Sequence, residues 1–378
     1  MKYKLGELIG AVNGYAFKRS EFIGQGIPVI KIKNIVPPVI NFESVDTEYI
    51  FSENLKDFQK YQVQLGDVLI SLTGSHVDQS GSMVGKVGRY CYNFPALLNQ
   101  RVAKLYVKDS QKLDKDYFYF WISRPSVQKY LALNAGGSAN QANISVQDIF
   151  MLDIEIPTIN DQRIIASQLR KLVDKIHINE KINDNLFKLA RELYRKTIVS
   201  SVLTKTKLKD FATITMGQSP SSKTYNENKV GIALLNGATD FRNGIHPSKW
   251  TTNPKRIVDK GSYIFGVRAT IGLTTKVFDR YAIGRGTGSA VSKEAVNDEF
   301  LYFVLEDMFK YFASFGSGSV YINISKTDFN DYTFYKPQSN DLRRFHQTVG
   351  PIMSKIYTNK QENIVLTQLK ERLLNKYF

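Results

Sequence analysis

A single cysteine, Cys91, stands in 378 residues, which excludes internal disulfides and any zinc or iron–sulfur site built from cysteines. A reducing compartment fits that usage. The four histidines, His76, His177, His246 and His346, show no metal-ligand spacing, so no metal is expected. No segment approaches the roughly 18 uncharged apolar residues of a membrane span, and the stretch from Met1 to Gly10 lacks the apolar core of a signal peptide. A cytoplasmic protein without membrane contact is expected. Catalytic motifs are scarce too. Asn93-Phe94-Pro95-Ala96 lacks the second proline and the aromatic with which amino-methyltransferases hold an amine. The stretch Gly81-Ser82-Met83-Val84-Gly85-Lys86-Val87 has the wrong glycine spacing for a phosphate-binding loop, and no hydroxyl follows its lysine. No paired carboxylates with a lysine form a nuclease arrangement, and no set of nucleophile, base and orienter stands out. The expectation is a non-enzymatic chain without a cofactor.

What is present is length, apolar content and positive charge. With 43% hydrophobic residues the chain is globular and long enough for two domains with their own cores. The formal charge of +16 points to a polyanionic partner, most commonly nucleic acid, or to a protein that is merely rich in lysine. Clustering of arginines and lysines near glycine-rich turns supports the first.

The chain also contains a copy of itself. Gly136, Asn143, Ile144, Ser145, Asp148, Pro157, Asn160, Asp161 and Arg163 recur without a gap as Gly316, Asn323, Ile324, Ser325, Asp328, Pro337, Asn340, Asp341 and Arg343. The openings match as well, Leu5-Gly6-Glu7-Leu8 up to Gly14 with Leu208-Lys209-Asp210-Phe211 up to Gly217. Pro28 to Ile32 and Ile232 to Leu235 read as strands, as do Gly66-Asp67-Val68-Leu69-Ile70-Ser71 and Gly261-Ser262-Tyr263-Ile264-Phe265-Gly266. That last pair sits at a different offset from the first matches, so the intervening loops differ in length. The aromatic helices around Tyr117 to Trp121 and Phe300 to Phe303 read as core.

After Pro157 and Pro337, with Asn160-Asp161 and Asn340-Asp341 as candidate caps, each copy enters a long helix. Ile165, Leu169, Leu172, Ile176, Asn179, Asn183, Leu186, Ala190, Leu193 and Thr197 fall at heptad spacing. Phe345, Val349, Ile352, Ile356, Asn359, Asn363, Leu366, Lys370, Leu373 and Tyr377 repeat it. Each helix could pack on its own domain, but heptads sustained in both copies favour pairing with each other. Only Thr204-Lys205-Thr206-Lys207 separates the first helix from the second globular region. A parallel pair would need the chain to return roughly 60 Å, the length of about 40 helical residues, so the expectation is antiparallel. Asn179 then faces Asn363 and Asn183 faces Asn359, a polar cluster that fixes register at some cost in stability. The predicted class is α+β: a domain over 1–159, a helix over 160–203, a second domain over 204–339 and a second helix over 340–378.

These residues resemble the specificity subunit of type I restriction–modification systems. The resemblance rests on the tandem order of domain, helix, domain, helix, on Gly66 to Ser71, on Asn99-Gln100-Arg101-Val102, and on the twice-present Gly…Asn-Ile-Ser…Pro run into a helix. The chain departs from the usual family pattern in having Asp161-Gln162 and Asp341-Leu342 before its helices, and Gly284-Arg285-Gly286-Thr287-Gly288 near where a second Asn-Gln-Arg would fall. The resemblance implies a non-catalytic subunit that reads double-stranded DNA. Each domain would read half of a bipartite, asymmetric site, and the paired helices would set the unread gap. Two methyltransferase subunits and restriction motor–nuclease subunits would be its partners. Two readers can touch one face of B-DNA when their half-sites lie about one turn, roughly 34 Å, apart.

Base reading needs directional donors and acceptors, and affinity needs cations facing phosphate. The candidates in the first domain are Lys31, Lys33, Asn34, Thr73, Ser75, His76, Gln79, Ser80, Asn99 and Arg101. In the second they are Asn236, Arg242, Lys249, Arg268, Thr270 and Arg285. Each could equally serve turn geometry or solubility. The repeated Asn143-Ile144-Ser145 and Asn323-Ile324-Ser325 read as structural turns, because both domains keep them. Two other readings stay open, a structural adaptor that scaffolds proteins through its coiled coil and a nuclease with an unrecognised site.

Overall fold

The computed structural model describes residues 1–42, 46–77, 80–138, 141–242, 244–267, 272–314 and 324–378. They form two compact units, Met1–Asp174 with Gln368–Phe378, and Lys175–Thr367.

The first unit carries two main sheets, beside two smaller ones among the described residues. One has the order Ile9–Asn13, Val102–Val107, Val68–Ser71, Val87–Arg89, Val39–Ile40, Ile35–Val36. Its strand Val68–Ser71 is buried along its whole length, as an apolar run with a neighbour on each side should be. The other sheet has the order Glu48–Ile50, Ile27–Ile30, Ala96–Leu98, Gln62–Val63, with Ile27–Ile30 parallel to Ala96–Leu98. Helix Lys115–Ile122 starts at Asp114, whose side chain accepts from the Asp116 and Tyr117 amides. Every residue from Tyr117 to Ile122 is buried in a core shared with Leu5, Ile9, Val68, Ile70, Leu105 and Leu169.

The second unit repeats this plan. Its first sheet runs Ala212–Met216, Thr287–Ser292, Tyr263–Gly266, Thr274–Lys276. Its second runs Tyr225–Asn226, Lys249–Thr251, Ile232–Leu235, Tyr281–Ile283, Ile257–Val258, again with one parallel pair, Ile232–Leu235 and Tyr281–Ile283. The second sheet keeps the order of its counterpart with one strand added at the edge, and the first has four strands against six. The chain is thus a tandem of mixed α/β domains with long helices, Ile159–Ser200 and Ser339–Tyr377. The second helix continues through Pro351.

Some local readings change. Thr204 to Lys207 is part of a strand, Leu203–Lys207, antiparallel to Thr333–Pro337, just as Lys2–Lys4 pairs with Asp153–Glu155. Each copy therefore closes on itself, its first strand bonded to its last. Asn160 and Asn340 lie inside their helices and cap nothing. Thr158 begins the first helix, its Oγ1 accepting from the Asp161 amide at 3.3 Å and donating to the Asp161 carboxylate at 2.6 Å. The repeated Ile-Ser run opens a short helix each time. Ser145 N donates to Asp148 Oδ2 at 2.7 Å, and Ser325 N to Asp328 Oδ2 at 2.8 Å. Asn323 lies outside the described residues.

Candidate nucleic-acid interface

One turn is built twice on five corresponding backbone bonds, with one more in the second copy, from Gly286 N to Asn236 O at 3.1 Å. In the first unit Asn99-Gln100-Arg101 links Ala96–Leu98 to Val102–Val107. Val102 N donates to Asn99 O at 2.9 Å, Asn99 N to Ile30 O at 3.1 Å and Leu72 N to Arg101 O at 2.9 Å. Gly14 N and Tyr15 N clamp its ends, donating to Val102 O at 3.0 Å and Leu98 O at 2.9 Å. In the second unit Thr287 N donates to Gly284 O at 3.0 Å, Gly284 N to Leu235 O at 2.9 Å and Val267 N to Gly286 O at 3.1 Å. Gly217 N and Gln218 N donate to Thr287 O at 2.9 Å and Ile283 O at 3.0 Å. Gly284-Arg285-Gly286 is therefore the structural counterpart of Asn99-Gln100-Arg101, with the arginine moved from third place to second. The glycine of each clamp is dictated by proximity. A Cβ on Gly14 would lie 2.0 Å from Asn99 O, and one on Gly217 would lie 2.1 Å from Gly284 O.

The two arginines differ in what holds them. Arg101 is exposed, and its guanidinium makes no bond among the described residues. Arg285 is also exposed, but its Nε donates to Ser219 Oγ at 3.4 Å and its backbone N to the same oxygen at 3.3 Å. Ser219 Oγ in turn donates to Asn236 Oδ1 at 3.3 Å. Glycines let Asn236 come this close. A Cβ on Gly284 would lie 2.0 Å from Asn236 Oδ1, and one on Gly286 would lie 2.4 Å from Asn236 O. Sequence reading missed Ser219, although matching Gly14 with Gly217 sets it against Ala16.

Around the first turn, Lys31 follows strand Ile27–Ile30, ion-pairs with Glu48 and lies 4.1 Å over the Phe22 ring. Lys33 sits 3.5 Å from Asp46. Asn99 and His76 are half-buried. Around the second, Arg242 and Lys249 are exposed, with the Lys249 ammonium 5.9 Å from the Tyr225 ring.

Three candidates turn inward. Asn34 is fully buried, accepting from Lys31 N at 3.0 Å and donating to Asn41 O and Thr47 Oγ1, both at 3.2 Å. Thr73 Oγ1 donates to Asn143 Oδ1 at 2.8 Å. Ser75 Oγ lies 2.8 Å from Ser82 Oγ. Their side chains are engaged in local structure, that of Thr73 across the antiparallel pair it forms with Asn143. Ser80 opens the 3-10 helix Ser80–Ser82, while Gln79, Arg268 and Thr270 lie outside the described residues.

Within the second unit the four asparagines of the helices come together. Asn179 Nδ2 donates to Asn363 Oδ1 and to Glu362 Oε2, both at 2.8 Å, and the second bond holds the Glu362 carboxyl below its ordinary range. Asn359 Nδ2 donates to Asn183 Oδ1 at 2.9 Å, and Asn363 Nδ2 to the Ile176 carbonyl at 3.2 Å. Asn359 Oδ1 is buried without a partner. The heptad positions of both helices are all buried or half-buried. Among the described residues no group of three or more His, Cys, Asp or Glu could hold a metal ion, and no helix is long and apolar enough to cross a membrane.

The family described as Type I restriction modification DNA specificity domain has a model that matches residues 1–187 and 203–370. The putative type I restriction enzyme MjaX specificity subunit of Methanocaldococcus jannaschii is 24% identical over 376 residues, covering 93% of this chain and 86% of that protein. The type I restriction enzyme MjaVIII specificity subunit of the same organism is 24% identical over 203 residues, 53% of this chain and 46% of that one. Among solved structures, the Type-I restriction-modification system S subunit from M. genitalium superposes with a TM-score of 0.65 at 16% identity, covering 100% of this chain and 96% of that one, a likeness of fold. With the family's domain present twice over almost its whole length, the chain belongs to the type I restriction modification DNA specificity domain family.

Proposed function

We propose that the chain is the sequence-specific DNA-recognition subunit of a type I restriction–modification enzyme, each domain reading one half of a bipartite, asymmetric site and the helices setting the gap. The recognition domains are 1–159 and 204–339, joined and followed by the segments 160–203 and 340–378, which hold the helices Ile159–Ser200 and Ser339–Tyr377. The helices pair as an antiparallel coiled coil related by a pseudo-twofold, a reading supported by the bonds from Asn179 to Asn363 and from Asn359 to Asn183. The subunit itself is non-catalytic and works in the cytoplasm. It recruits methyltransferase subunits, two in number, and in the restricting complex motor–nuclease subunits.

The observation that carries this reading is the duplicated turn. One backbone frame presents Asn-Gln-Arg in one domain and Gly-Arg-Gly in the other, so two readers of the same build offer different donors to two different half-sites. The charge of +16 supplies the affinity that phosphate neutralisation requires.

The test is selection of bound sequences from a random duplex pool, with the chain alone and with its candidate methyltransferase subunit. The expected result is two short fixed half-sites at a constant spacing, with binding that weakens steeply as salt is raised. An intact complex that enriches nothing in either condition would overturn sequence reading and leave the structural adaptor in its place.

A further inference from the structure

The two arginines of the duplicated turn occupy different mechanical situations. Arg285 is anchored at both its backbone and its Nε to Ser219 Oγ, and that hydroxyl is itself oriented by Asn236 Oδ1. With Nε engaged, the terminal nitrogens of the guanidinium have no partner among the described residues, and they share the guanidinium plane that this bond orients. A planar fork whose direction is set beforehand loses little freedom when it forms two parallel hydrogen bonds. The base edge that offers two acceptors at that spacing is guanine, through O6 and N7.

Among the described residues Arg101 has no such anchor. The residue at the place of Ser219 in the first unit is Ala16, which has no hydroxyl, and the place of Asn236 is taken by Lys31, whose ammonium pairs with Glu48. An exposed, unanchored guanidinium supplies charge without a defined direction, which suits a phosphate.

We infer that Arg285, positioned by Ser219 and Asn236, reads a guanine in the half-site of the second domain, whereas Arg101 grips the DNA backbone without reading sequence. The inference rests on the DNA-recognition reading above and adds the base that one residue determines and the residue that positions it. Ser219 is a positioning residue. It acts through Arg285 and touches no base.

The experiment repeats selection from the random pool with the full chain, wild type and with Arg285→Lys, Ser219→Ala, Ser219→Thr and Arg101→Gln. Salt dependence of binding is then measured on the wild-type site. Arg285→Lys keeps the charge and loses the fork, so one guanine of one half-site should lose its enrichment, with discrimination there falling roughly tenfold to hundredfold. The salt slope should stay. Ser219→Ala should relax the same position and no other, and Ser219→Thr, which keeps the hydroxyl, should restore it. Arg101→Gln should weaken binding to every sequence alike, lower the salt slope by about one, and leave the selected bases as they were. The inference is overturned if Arg285→Lys selects the wild-type site unchanged, if Ser219→Ala leaves that guanine as strongly enriched, or if Arg101→Gln alters a selected base. A wild-type chain that enriches nothing would instead remove the DNA-recognition reading, and this assignment with it.

Discussion

The pair formed by Asn183 and Asn359 allows a sharp energetic test. Asn359 is 1% exposed and Asn183 9%, and the bond between them uses Asn359 Nδ2 and Asn183 Oδ1. Asn359 Oδ1 already lacks a partner. Replacing Asn183 by leucine leaves Asn359 with neither polar atom bonded and no access to water, a penalty of about 1–3 kcal/mol. Replacing Asn359 by leucine instead removes the orphaned oxygen and leaves Asn183 Oδ1 in the more accessible of the two positions. That substitution should cost less. The double replacement removes every unpaired atom and buries two leucines, each gaining on the order of 1.5–3 kcal/mol from burial against the loss of one net hydrogen bond of about 1 kcal/mol. It should be at least as stable as the wild type, giving a coupling of about 2 kcal/mol between the sites. Urea unfolding followed by Trp250 fluorescence, in a Trp121→Phe background that leaves one tryptophan, reports on the unit that holds both asparagines. Additive single effects of equal size would refute the reasoning. With Asn179 and Asn363 also changed to leucine, the chain should be more stable still and should populate slipped or self-associated forms in light scattering, because the polar register is gone.

Three further outcomes follow from local geometry. Gly217→Ala places a Cβ 2.1 Å from Gly284 O, so the clamp must open; a loss of about 2–4 kcal/mol in unfolding free energy is expected. Gln162→Leu leaves the Asp114 amide and the Lys112 and Pro157 carbonyls without the bonds of 2.9, 3.0 and 3.1 Å they make now, which should cost about 2–5 kcal/mol by denaturant titration. Hydrogen bonds from Ser325 hold the Asp328 carboxyl below its ordinary value of 3.8. A depressed acid contributes stability above its unfolded value, and that contribution is lost as the pH falls through its folded value. Ser325→Ala should therefore raise the Asp328 titration midpoint in a carbon-13 NMR pH series, with a loss of about 0.5–2 kcal/mol of stability at neutral pH.

Periodicity and repetition made much of the fold legible. Val68 to Ser71 and Tyr263 to Gly266 read as strands after a glycine, and the structure places strands there that are buried throughout. The asparagines were visible as polar residues interrupting an apolar seam. The inward turn of Asn34, Thr73 and Ser75 was not, since a polar side chain in a loop looks alike whether it faces solvent or bonds to Thr47, Asn143 or Ser82. Ser219 was invisible for a related reason. Its importance lies in where Gly217 brings the chain, within reach of Asn236 and Arg285, and those residues are far apart in sequence.

Matching positions in the two units reach the same structural end by different chemistry. Gln162 and Leu342 occupy matching places at the start of the two long helices, yet one is buried by bonding three backbone groups and the other by packing among apolar side chains. The position demands burial and accepts either chemistry. The duplicated turn follows the same logic with the sides reversed: five backbone bonds recur in both units, while the side chains they carry differ. A frame held by main-chain hydrogen bonds accommodates Asn-Gln-Arg in one unit and Gly-Arg-Gly in the other, although in the second the close approach of Asn236 requires the glycines on either side of Arg285. On the proposed reading, new specificity would arise by substitution at a few turn positions, with stability set by residues such as Gly14 and Gly217 that clamp the turn from behind.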